Sequence, residues 1–166
     1  MDVSFINHFI SSTSNVFDTM LNCPIKRTSL ELKEHSHPTY DVSAVIGLSG
    51  RVSGSVVLSM TTEVALKAAG EMMCASYDDV DAEVFDAIGE LANMVAGGAK
   101  AKLADMQLSL GLPNVVVGRK CIYFPADVRP LCVGFETPWG AMALDVGFDT
   151  SIEGDVHSLD SEAVCV

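Results

Sequence analysis

From Ala82 to Asp105 no proline interrupts the chain, and Val84, Ile88, Leu91, Val95 and Ala99 recur three or four residues apart. That is the period of an amphipathic α-helix, and a helix of this length must lay its apolar stripe on another layer. The aspartate-rich turn from Ser76 to Asp81 precedes it, so Asp79 or Asp81 is placed to cap its first turn.

The flanking segments supply the other layer. Residues 25 to 32, 40 to 48 and 51 to 60 alternate and are rich in β-branched side chains, with Gly47 and Ser49-Gly50 between the last two. They read as a strand followed by a hairpin. A second group of short β-prone runs follows the long helix: 108 to 110, 115 to 117, 121 to 124, 131 to 136 and 140 to 148, with Trp139 at the turn between the last two. Two further helices are predicted. One covers residues 3 to 21 and is stopped by Cys23-Pro24; the other runs from Thr61, a capping residue, to about Cys74. The fold class is therefore α+β, with an antiparallel sheet covered on one face by helices. Residues 1–149 form one domain, and 150–166, with Glu153, Asp155, Asp160 and Glu162 and little apolar periodicity, read as a loose acidic tail.

The chain carries 10 Lys and Arg against 22 Asp and Glu, a formal net charge of -12. Such a surface repels phosphate backbones and anionic lipid, which sets aside nucleic acid and membranes as partners. It suits a protein partner with basic groups around its own site, or serves solubility alone. Five scattered cysteines with no C-x-x-C pair give neither a disulfide framework nor a zinc site, which fits a reducing cytoplasm, and no export signal or apolar span is visible.

The polar side of the long helix concentrates in one sector. At about 100° per residue, with Glu90 as zero, Asp86 falls near roughly -40°, Asn93 near -60° and Gly97 near -20°, while the apolar residues lie at about 100° to 180°. Gly97 and Gly98 each cost about 1 kcal/mol relative to alanine inside a helix. Close approach of another backbone is the natural compensation. It could come from a partner's loop one turn beyond Asn93, or from a strand of the chain's own sheet.

The run FDAIGELANMVAGGAKAKL, with Asp86-x-x-x-Glu90-x-x-Asn93, resembles the signature helix of the CheC/CheX chemotaxis phosphatases. Upstream, SGSVVLSMTTEVALKAAGEMM is similar to that family's strand and helix; downstream, LSLGLPNVVVG is similar to its next strand, with Ser109, Pro113 and Gly118 as landmarks. An isolated E-x-x-N is a weak signal; the extended run in its context is much more specific. The resemblance implies removal of the phosphoryl group from the aspartyl phosphate of a CheY-like response regulator. Glu90 would pair with the regulator's lysine and Asn93 would position the attacking water, with Asp86 and Gly97 at the rim of the contact. No cofactor is implied for this chain itself, since Mg2+ would sit in the regulator's acidic pocket. One copy of the motif favours the CheX-like arrangement, a homodimer pairing through its sheets. A non-catalytic module binding a regulator or flagellar switch protein is the alternative.

The chemistry is consistent with those side chains. Hydrolysing an acyl phosphate needs an in-line water and charge neutralisation more than a new nucleophile. An amide can accept from that water and donate, and it stays neutral beside phosphate. Elsewhere, His35, His37 and Asp41 would make a poor metal site because Pro38 breaks the strand; His8 and His157 suggest no catalytic base. Neither a Gly-x-Ser-x-Gly elbow nor a phosphate-binding glycine loop is present.

Overall fold

Asp81 and Thr61 set the starts of two helices that carry much of the core. In the computed structural model, which describes residues 4–34, 37–118, 124 and 128–149, the Asp81 side chain accepts from the Val84 N–H at 3.0 Å, and Thr61 accepts from the Val64 N–H at 3.4 Å. Among the described residues three α-helices result: α1 (Ile6–Leu21), α2 (Thr62–Met73) and α3 (Ala82–Lys102). α1 ends where Asn22 turns left-handed at φ 46°, one residue before the Cys23-Pro24 pair. α3 stops at Lys102, short of Asp105, and residues Ala104–Met106 tighten into a 3-10 turn.

Among the described residues seven strands form one antiparallel sheet: β1 (Lys26–Leu32), β2 (Val42–Ser49), β3 (Ser53–Met60), β4 (Ser109–Leu110), β5 (Asn114–Val117), β6 (Leu131–Thr137) and β7 (Gly140–Asp149). The spatial order is β1-β6-β7-β3-β2-β4, and β5 also pairs with β2. Register places Val42, Ala44 and Ile46 opposite Met60, Leu58 and Val56, and these opposite Met142, Leu144 and Val146. Strand alternation turns all of them towards the helices. There they meet Phe9 and Phe17 of α1 and Ile88 and Leu91 of α3, each fully buried. Burial of each such side chain stabilises by about 1.5–3 kcal/mol.

The opposite face of the sheet departs from the expectation of one covered face. Ser43, Val57, Ser59, Ala143 and Asp145 point away from the helices yet are all buried. Contacts on this face come from two directions. Phe124, Val128 and Pro130 lie so close over Gly147 that a side chain there would meet all three within 3.1 Å. On the other side, Lys33 reaches back across the sheet, pairing with Asp145 at 2.6 Å and donating to Thr39 Oγ1 at 3.1 Å. The unbroken runs VVLSM and AMALDV are the sequence trace of strands buried on both faces. Trp139 is half-buried in the β6–β7 turn against the core, its backbone N–H donating to Thr137 Oγ1 at 3.0 Å. The expected tail 150–166 and nearly all of the expected strand 121–124 lie outside the described residues.

Candidate functional site

α3 holds its register through its ends and its underside. Glu83 stands in the first turn and Lys100 and Lys102 in the last, each complementing the helix dipole where it is strongest. Val84, Ile88, Leu91, Val95 and Ala99 are all fully buried, as the wheel requires. On the sheet side Gly89 faces Pro113 and Val115, which a Cβ there would meet at 3.4 and 3.6 Å, ordinary contact distances.

The opposite stripe is open. Asp86 and Glu90 are exposed, and Asn93 and Gly97 are half-buried. Residues three and four apart on a helix are neighbours, so Glu90 lies beside both Asp86 and Asn93. Among the described residues none of the three side chains is held by a hydrogen bond or ion pair, which leaves the Glu90 carboxylate and the Asn93 amide their full bonding capacity for a partner.

The two glycines divide in function. Gly98 is the point of close approach, but the neighbour is α1 and not a strand: a Cβ on Gly98 would stand 2.3 Å from Ser12 Oγ, which donates to the Val95 carbonyl at 2.7 Å. A helix supplies the contact because α1 packs along α3 more extensively than any strand does. Gly97 has nothing within 4 Å of where its side chain would be. It leaves a flat, open step one turn beyond Asn93.

One neighbour of the stripe was missed in the sequence. Tyr77, before α3, donates its hydroxyl to Glu83 Oε2 at 2.8 Å. That hydrogen bond, ahead of burial and nearby carboxylates, raises the tyrosine pKa above its ordinary value. Glu83 falls at about +20° on the same wheel as Glu90, so the stripe begins about one turn before Asp86, where the four-residue pattern starts. Among the described residues no group of three or more His, Cys, Asp or Glu could hold a metal ion. His37 is exposed, and His35 and His157 lie outside the described residues. No helix is long and apolar enough to cross a membrane among the residues described.

Residues 42–136, which include the whole of α3, match the family described as chemotaxis phosphatase CheX. A Thermotoga maritima protein named CheY-P phosphatase CheX is 32% identical over 122 residues, covering 72% of this chain and 79% of that one. A CheC-like superfamily protein from Shewanella sp. PV-4 superposes with a TM-score of 0.81 at 33% identity, covering 90% of this chain and 99% of its own. The chemotaxis protein CheX of Vibrio vulnificus superposes with a TM-score of 0.79 at 29% identity, covering 89% of this chain and 100% of its own.

Proposed function

The chain belongs to the CheX family of chemotaxis phosphatases, and we propose that it accelerates hydrolysis of the aspartyl phosphate on a CheY-like response regulator. The observation that carries the roles of individual residues is the open stripe of α3, where Glu90 and Asn93 stand together with no internal partner among the described residues.

In this reading Glu90 pairs with the regulator's lysine and fixes orientation across the interface. Asn93 enters beside the phosphoryl group, accepting a hydrogen bond from a water held in line with the bond to be broken. The water oxygen bonds to phosphorus as the phosphorus–carboxylate bond breaks. The electron pair leaves on the aspartate, and the products are inorganic phosphate and the free carboxylate. Asp86 and Gly97 line the contact, Gly97 admitting the regulator's backbone where a side chain would obstruct it. Mg2+ belongs to the regulator's pocket, and this chain contributes the amide and the carboxylate.

A homodimer joined through the sheets accords with β1. It forms one end of the strand order and every residue of it is exposed, Leu30 at 47% and Leu32 at 52%, so its outer backbone edge offers a surface for pairing. The free Cys23, Cys74 and Cys132 accord with a cytoplasmic setting.

The test is the decay of a phosphorylated CheY-type regulator with and without the protein. Wild type shortens the phosphate lifetime, and Asn93→Ala loses about 10²-fold of the acceleration, as expected when a reactant is no longer positioned. A lifetime that the wild type leaves unchanged, with binding intact, would assign the stripe to the non-catalytic role.

A further inference from the structure

A groove of about 460 Å³ runs along α2, bounded by the segment that folds back after the helix. The fold-back is fixed by the Ala75 N–H donating to the Gly70 carbonyl at 3.1 Å, and it passes so close that a Cβ on Gly70 would meet the Ala75 oxygen at 2.9 Å. Leu66 and Tyr77 give the groove its apolar lining; Glu63, Lys67 and Glu71 supply its charge. Met73, 52% exposed, lies on the Leu66 side of the helix, seven residues on.

This groove joins the Glu90 stripe. Tyr77 lines it, and its hydroxyl is held by Glu83. Glu83 is seven residues before Glu90, a distance of about 10.5 Å along the axis on the same face. A specific protein partner covers about 800 Å² on each side, far more than two side chains present. An interface centred on Glu90 and Asn93 therefore extends past Glu83 and meets the groove.

We propose that the groove is a second docking point for the same response regulator, taking an apolar side chain flanked by lysine or arginine on the regulator's surface. Charge complementarity selects this occupant, because Glu63 and Glu71 line the groove against Lys67 and Glu83 stands beside it on the Tyr77 hydroxyl, in a chain of net charge -12. An apolar anchor in a pocket supplies affinity, and the acidic rim favours basic neighbours and speeds encounter. The proposal rests on the phosphatase reading for the identity of its partner.

The experiment uses Ser76→Trp, which fills the groove, and Glu63→Lys, which reverses its rim, both at exposed positions. With a phosphorylated CheY-type regulator as substrate, each raises KM about tenfold or more, a loss of about 1.4 kcal/mol of binding, and leaves kcat within about twofold. Asn93→Ala does the reverse. An unchanged KM in both groove variants overturns the proposal, as does a change of oligomeric state, which would give the groove to a second copy of the chain. If Ser76→Trp melts below the assay temperature, Glu63→Lys decides. If the wild type shows no turnover, the phosphatase reading falls by itself. The groove is then judged from the dissociation constant for the phosphorylated regulator, which must weaken about tenfold in the variants.

Discussion

Gly98→Ala isolates the contact that seats the functional helix. The added methyl would stand 2.3 Å from Ser12 Oγ, and the hydroxyl can swing clear only by abandoning the Val95 carbonyl. Ser12 is 5% exposed, so the displaced hydroxyl finds no water. A buried hydroxyl left unpaired costs about 1–3 kcal/mol, while alanine in place of helical glycine returns about 1 kcal/mol. The net is a loss of about 1 kcal/mol. In a Ser12→Ala background the obstruction is gone, leaving a 3.4 Å approach to the Ser12 Cβ, and the same substitution gains up to about 1 kcal/mol. The sign of the effect reverses between backgrounds, a coupling of about 2 kcal/mol. Urea denaturation of the four proteins measures it. Equal effects of Gly98→Ala in both backgrounds would refute the assignment of this glycine to the helix–helix contact.

Three other perturbations probe different parts of the fold. Asp81→Ala removes the hydrogen bond to the Val84 N–H and costs about 1 kcal/mol, read as a melting temperature lower by about 2–4 °C. Lys33→Met strands the Asp145 carboxylate, which is 2% exposed; it destabilises by about 3 kcal/mol in urea, and Lys33→Met with Asp145→Leu restores most of the loss. Burial, and then the neighbouring Asp145 carboxylate, push the Cys132 thiol up from 9.0 to about 12. Below pH 9 folded and unfolded chains both hold that proton. As pH rises towards 12 the unfolded thiol ionises first, so stability falls across that window. Iodoacetamide mapped by mass spectrometry at pH 9 should label the exposed Cys74 and spare Cys132.

The α3 site was legible because its information is local. Val84 to Ala99 set the buried stripe, Asp81 the start, and Glu90 and Asn93 their shared face, all from residues within a few turns of one another. The contacts that escaped join distant parts of the chain. Ser12 and Val95, whose bond marks the contact at Gly98, are 83 residues apart, so the glycine's cost could be read while α1 was not among the neighbours considered for its compensation. Lys33 and Asp145 are 112 apart, and neither neighbourhood indicates which distant residue would meet it over the sheet's second face. Tyr77 sits in a turn whose composition indicated only a connection. Its bond to Glu83 becomes visible once the turn folds back along α2.

That Glu90 and Asn93 have no internal partner among the described residues bears, in the proposed reading, on how long a signal lasts. Side chains that break no bond before engaging have no closed form to be unlocked from, and both stand on a helix fixed along its underside. In the proposed phosphatase reading such a stripe is ready to engage in every copy of the protein, and the loss of the regulator's phosphate would follow the amount of protein present.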